Sequence, residues 1–146
     1  MMKHSSRGFT ILEMLLAISV IGVLTGFSAP IVARLQRSND LETAQRSLIQ
    51  AHRRSQQLAR SSINDQTWGV KVQTGLVTTF VGISYATRDT TYDEDFQISN
   101  AISISGLNET VYSKTTTTPS GVGTTTLQNN GQTKVITVNA KGTIDY

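Results

Sequence analysis

Residues 9–33 form an apolar run of about 25 positions in which a single side chain, Glu13, is ionisable. As a helix rising ~1.5 Å per residue this run reaches ~37 Å, enough to cross a hydrocarbon core of ~30 Å with some tilt. A carboxylate at that depth costs on the order of a few kcal/mol unless something pairs with it, so Glu13 calls for a partner. Gly22 and Gly26 stand at a small-xxx-small spacing that admits a second helix at close range, and the same two residues are equally compatible with ordinary membrane-helix glycines. Pro30 removes an amide donor and clashes with the preceding turn, which predicts a bend or local loosening over 27–30.

Beyond Pro30 the apolar positions become one-sided. Leu41, Ala44, Leu48, Ala51, Ser55 and Leu58 recur at steps of three and four, the period of one helical face, and that face is expected to pack on a sheet. Residues 61–66 punctuate the chain, and shorter alternating segments follow. A strand over 67–72, a turn at Gln73, Thr74 and Gly75, and a longer partner over 76–85 read as a β-hairpin with Trp68 as a core anchor against the helix. Residues 88–95 read as a polar loop, and 96–98, 101–104 and 110–112 as short strands. The threonine-dominated stretch 114–126, with Pro119, Gly121 and Gly123, reads as a loop or edge excursion. Asn130-Gly131 predicts a hairpin turn joining 124–127 to 133–139, and Lys141-Gly142 turns the chain into 143–146, a closing β-meander.

The eight residues before Phe9 carry Lys3, His4 and Arg7 and no acid, which by the positive-inside bias holds them on the cytoplasmic side and places the remainder outside. A secretory signal has its small-residue cleavage site after the apolar core; here the small residue, Gly8, precedes it, so cleavage there retains the helix. With Gly8, Phe9, Thr10, Ile11, Leu12 and Glu13 in this order after a basic leader, the N-terminal region resembles the processing motif of type IV pilins and type II secretion pseudopilins. The resemblance implies that prepilin peptidase, a membrane enzyme, cuts after Gly8 and methylates Phe9. It also implies that Glu13 attracts the new Phe9 amine of a neighbouring subunit, a group that is cationic near neutral pH. Pro30 corresponds to the point where such helices lose helicity on assembly. The implied partners are other pilin or pseudopilin subunits in a helical fibre, the inner-membrane assembly platform and the membrane itself. The chain then divides into a cleaved cytoplasmic leader (1–8), a transmembrane and fibre-core helix (9–33), an amphipathic helix (34–60) and a globular β domain (61–146).

Composition narrows the remaining chemistry. The formal charge of +3 falls to +1 once Lys3 and Arg7 leave with the leader, so the basicity is mostly the leader's. Cysteine is absent, which excludes thiol catalysis, cysteine metal sites and the disulfide-closed loop that many pilins carry. Arg34, Arg37, Arg46, Arg53, Arg54 and Arg60 outnumber Asp40 and Glu42 along the helix. Arginines there serve as phosphate-level anchors or face neighbouring acids; a nucleic-acid stripe is the competing reading, opposed by the lack of interleaved aromatics for stacking bases. His52 has no ligand-spaced companion and reads as a solvated helix position. Asp89, Asp93, Glu94 and Asp95 are a conceivable calcium loop, but they lack alternating ligands and a turn glycine and read as a solvated loop. Asn108-Glu109-Thr110 matches the N-glycosylation pattern, a weak signal as a single tripeptide. No nucleophile elbow, phosphate loop or metal-ligand cluster argues for an enzyme, and neither a cofactor nor a metal is implied.

The helix, Trp68-Gly69-Val70 and the closing segment 135–143 are together similar to H-type (GspH/FimT-like) minor pseudopilins. This implies an α+β, pilin-like fold in which the outer half of a long N-terminal helix packs across one or two antiparallel sheets. The expected protein is a structural minor pilin or pseudopilin of a type IV pilus or type II secretion pseudopilus. It would be single-pass in the inner membrane, its N-terminus cytoplasmic and its globular domain outside in a fibre. The alternative is a DNA-binding minor pilin of a DNA-uptake (competence) pilus.

Overall fold

Helix α1 runs Ile11–Arg60 and feeds two compact units, 1–36 and Arg37–Tyr146. The computed structural model describes residues 8–61 and 65–146, without the side chains of 27–30. The leader residues 1–7 and part of the expected punctuation at 61–66 therefore lie outside the described residues.

In the N-terminal unit the apolar side chains point in every direction. Ile11, Leu15, Ile18, Ile21 and Leu24 are all more than half exposed, and none of the apolar window is buried by the protein itself. Such a helix needs an apolar solvent on all sides. Two of its hydroxyls are satisfied within the helix: Ser19 Oγ donates to the Leu15 carbonyl at 2.7 Å and Thr25 Oγ1 to that of Ile21 at 2.8 Å, the local solution for polar groups in hydrocarbon. A Cβ added at Gly22 or Gly26 would meet nothing within 4 Å, so both glycines present open backbone. Pro30 falls within α1, but its ring lies outside the described side chains, and the expected bend with it.

In the second unit α1 is amphipathic, and the predicted face is the buried one. Leu41, Ala44, Leu48, Ala51, Ser55 and Leu58 are all buried, joined by Ile49 and Ala59. The small residues of this seam allow close approach: Ser55 Oγ donates to the Gly69 carbonyl at 3.1 Å. The seam packs against β1 (Trp68–Gln73), β2 (Leu76–Val81), β3 (Asp89–Gln97), β4 (Ser103–Gly106), β5 (Glu109–Tyr112), β6 (Gly123–Asn129), β7 (Gln132–Val138) and β8 (Ile144–Asp145). These strands form two antiparallel four-stranded sheets, ordered β3-β2-β1-β5 and β4-β6-β7-β8. One core joins Leu41, Leu48 and Ile49 to Val70, Val72 and Val77 of the first sheet and to Leu127 and Ile136 of the second. A smaller cluster holds Leu58, Ala59, Trp68, Val81 and Tyr112. The architecture is α+β, a long N-terminal helix on antiparallel sheets, and Trp68 is a core anchor as expected. Its Nε1 finds no acceptor among the described residues.

Two turns follow the sequence closely. Thr74 and Gly75 join β1 to β2, with Gly75 at φ +82°. Asn130 and Gly131 join β6 to β7 with φ values of +45° and +85°, the positive pair that a two-residue type I′ hairpin requires. Gly69 is demanded by packing: it lies opposite Phe80 in the ladder, and a Cβ there would overlap the Phe80 ring.

Three expectations are corrected. The partner strand read over 76–85 ends at Val81, because Gly82 at φ +135° reverses the chain. Thr67 Oγ1 fastens the Gly82 carbonyl at 2.8 Å, and a 3-10 turn over Tyr85–Thr87 follows. The polar segment 88–95 is largely strand β3, at the edge of its sheet and paired with β2. Strand alternation separates its acids: Glu94 reaches Arg54, while Asp93 pairs with Arg88 at 2.8 Å and Asp95 accepts from Thr78 Oγ1 at 2.7 Å. A calcium loop is not built from acids distributed in this way. The third correction is His52, which is 3% exposed rather than solvated. Its Nδ1 lies 2.9 Å from the Tyr112 hydroxyl, with the two rings edge to face at 6.0 Å. This pair pins α1 to β5.

Burial lowers the His52 pKa to about 4, and burial also raises that of the Tyr112 phenol, with Gln56 opposing in part. The unfolded chain binds a proton at His52 below about pH 6.5, whereas the folded chain resists it down to about pH 4. This contribution to stability is therefore complete above pH ~6.5 and is lost as pH falls toward 4, on the order of 3 kcal/mol in all. We expect the urea midpoint of the detergent-solubilised chain, read by Trp68 fluorescence, to drop over that window, and His52→Gln to flatten the drop while keeping a hydrogen-bonding partner for Tyr112. In the same assay Leu48→Ala is expected to cost about 3 to 5 kcal/mol, because the seam cannot collapse around the missing side chain.

Candidate functional site

The residues singled out at the N-terminus lie at one helix end. Gly8 is exposed, and a Cβ there would meet nothing within 4 Å; Phe9 is 75% exposed. The bond between them therefore sits in non-helical, uncovered backbone, the form in which a peptidase reads a chain. Helix α1 begins at Ile11, two residues later than a helix starting at Phe9.

The local reason is Thr10. The Glu13 amide donates to Thr10 Oγ1 at 3.3 Å and the Met14 amide to the Thr10 carbonyl at 3.2 Å, which makes Thr10 the N-cap. Glu13 then occupies the third helical position, the acidic place of a capping box, and Phe9 and Met14 take the two positions of a hydrophobic staple. Sequence reasoning assigned Glu13 to intersubunit pairing and missed this role, although a threonine followed three residues later by glutamate was the signal for it. The carboxylate also stands in the first turn, where the helix dipole favours negative charge. Pro30, the remaining candidate, is farther along α1 and takes no part in this arrangement.

The arginines do not act as one stripe. Arg34 belongs to the N-terminal unit. In the globular unit Arg46 pairs with Glu42 at 2.5 Å, and Arg54 grips both oxygens of Glu94 at 2.9 and 3.2 Å, which raises its pKa further. Among the described residues Arg53 reaches the Tyr146 hydroxyl, at 3.4 Å, and no carboxylate. Among the described residues, no group of three or more histidines or carboxylates is placed to hold a metal ion. In the glycosylation tripeptide, Thr110 is buried and Asn108 Oδ1 accepts from Lys71 at 3.3 Å.

Residues 3–29 match the prokaryotic N-terminal methylation motif. No curated protein and no solved structure matches the chain. The motif supports a type IV pilin or pseudopilin processed by prepilin peptidase and assembling with other pilin subunits. It points to a structural subunit rather than an enzyme. Together with the apolar helix it supports inner-membrane anchoring of the globular domain.

Thr10→Ala is expected to remove about 1 kcal/mol from the helix start. Hydrogen exchange in detergent micelles is expected to show the Glu13 amide opening roughly five times more often, with amides beyond the first turn unchanged.

Proposed function

We propose that the chain is a minor pilin or pseudopilin, of the H-type, carried in a type IV pilus or type II secretion pseudopilus. The observation that supports this best is the coincidence of an uncovered Gly8-Phe9 bond with a capped, all-round apolar helix inside the methylation motif. On this reading residues 1–8 are the leader, 9–33 the membrane and later fibre-core helix, 34–60 the amphipathic helix and 61–146 the β domain. The N-terminus is cytoplasmic and the globular domain outside. Prepilin peptidase cuts after Gly8 and methylates Phe9, Glu13 attracts the Phe9 amine of a neighbouring subunit, and Pro30 marks the stretch that loosens as the subunit leaves the bilayer for the fibre. The assembly platform of the inner membrane is the remaining partner. The DNA-uptake alternative has less support, since two of the arginines it needs already hold carboxylates.

Gly8→Val places a branched side chain at the scissile position and is expected to leave uncleaved membrane precursor, with wild type showing a methylated Phe9 as its N-terminus by mass spectrometry. Glu13 is tested by three variants, scored as the ratio of processed subunit in sheared fibres to that in the membrane. Glu13→Gln keeps a side chain able to complete the capping box but loses the charge, so incorporation is expected to fall as far as in Glu13→Ala, with cleavage intact in both. Glu13→Asp is expected to be intermediate. Normal incorporation of the glutamine variant would show that the cap, and not the ion pair, is what the carboxylate provides.

A further inference from the structure

The free edges of the two sheets converge beside α1. Strand β3 ends the first sheet and β8 the second. Glu94 and Phe96 of β3, Tyr146 just past β8, and the helix residues Arg46, Ile49, Arg53 and Arg54 line one groove of about 770 Å³. Its apolar surface comes from Ile49, which is buried, and Phe96, which packs on the main core. Of its three arginines, Arg46 is paired with Glu42 and Arg54 with Glu94, so Arg53 carries the unbalanced charge of the lining. Glu94 also shows what the groove recognises, because it seats a carboxylate bidentately on Arg54, and Arg53 beside it has no carboxylate partner among the described residues.

We propose that this groove takes an extended acidic peptide of a partner protein, which adds as a strand to the free edge of β3. Strand addition supplies main-chain hydrogen bonds from the edge amides and carbonyls that β2 leaves unused, and side chains of one parity reach the groove. A carboxylate on that face meets Arg53, and an apolar residue two positions away covers Ile49 and Phe96. From Arg46 to Gln57 the helix advances ~16 Å, which an extended chain at ~3.3 Å per residue spans with about five residues. A nucleic acid fits less well: Glu42 and Glu94 already hold Arg46 and Arg54, so a continuous run of phosphates has too few open guanidinium groups, whereas a peptide with one carboxylate on this face needs Arg53 alone. The inference uses the globular unit alone and is independent of the fibre reading.

The test uses the full chain in detergent and a fluorescent pool of peptides about seven residues long in which aspartate and valine, leucine or phenylalanine stand two positions apart, with threonine between them. A matched lysine pool and a single-stranded oligonucleotide of about twelve nucleotides are run beside it. Anisotropy is expected to show binding of the aspartate pool only, weakened at least about tenfold by Arg53→Glu and less than about twofold by Arg37→Glu, which lies outside the groove lining. Trp68 fluorescence checks that both variants remain folded. Hydrogen exchange is expected to slow at alternate β3 amides when the aspartate pool is bound. No binding of that pool, binding indifferent to Arg53→Glu, or no slowing along β3 would each overturn the proposal. So would tighter, Arg53-dependent binding of the oligonucleotide, which would make the groove a polyanion site.

Discussion

The fold depends on one buried seam along α1. Leu41, Leu48 and Leu58 supply bulk, and Ala44, Ala51, Ser55 and Ala59 supply closeness. The two sheets share their main core through this seam, since Val70, Val72 and Val77 on one side and Leu127 and Ile136 on the other are gathered with its leucines. Without the helix each sheet would have an apolar face open to water, and eight short strands bury too little on their own to offset the entropy of ordering them. A few polar contacts, buried or half-buried, then fix the register of helix against strands: Ser55 on the Gly69 carbonyl, His52 on Tyr112 and Gln56 Nε2 on the Gly142 carbonyl at 2.6 Å. Burial supplies the magnitude of the attraction and these bonds supply its direction, because a shift of one helical position would leave each of the buried groups without its partner.

The charged residues solve a different problem. An edge strand invites pairing with other chains, and β3 is nine residues long. Its acids keep that edge soluble, and their local partners keep them in place. Arg88 pairs with Asp93 while its guanidinium lies 3.7 Å from the centre of the Tyr85 ring, so one side chain secures both the 82–88 turn and the strand that follows. The pair is largely covered, its side chains 21% and 14% exposed, so loss of either partner would leave the other charge poorly solvated. Its effect is conformational, since the turn after Gly82 has few buried contacts of its own. Asp93 and Asp95 fall on the strand face away from the neighbouring groove, which is how a groove lined by arginines and an acidic edge coexist on adjacent surfaces.

Local rules made much of this legible in the sequence. The helical seam was readable because its period of three and four survives in any environment with one apolar side. The two hairpins were readable because Asn130-Gly131 and Thr74-Gly75 satisfy backbone requirements that few other pairs satisfy. What escaped reading was set by residues far away in the chain. His52 sits among arginines and glutamines and looks solvated; its burial is decided by Tyr112, sixty positions later. Strand β3 has the composition of a loop because its charges answer to an exposed edge position, not to its backbone conformation. The chain reversal at Gly82 was hidden in a segment rich in strand formers. At the N-terminus the residues were recognised and their part in the helix start was not: Thr10 and Glu13 open the helix as well as falling within the methylation motif.

That double membership bears on how an ionised Glu13 is tolerated before assembly. A carboxylate within the bilayer costs on the order of a few kcal/mol, and on the proposed reading its cationic partner arrives only with another subunit. Position in the first turn offsets part of this cost, because the uncapped amides and the helix dipole together favour a negative charge there by about 0.3 to 2 kcal/mol. Thr10 adds a cap that does not depend on assembly. The offset is incomplete, and the residual deficit gives the incoming amine its pull. A carboxylate one turn deeper would lose the dipole and cap and would tend to neutralise by taking up a proton, which removes the attraction it is needed for. A carboxylate one turn earlier, at position 9 or 10, would precede the first helical turn and lose the same support. The third helical position is where the charge is both sustainable alone and still short of a partner, and this gives the five-residue spacing from Gly8 to Glu13 a physical basis.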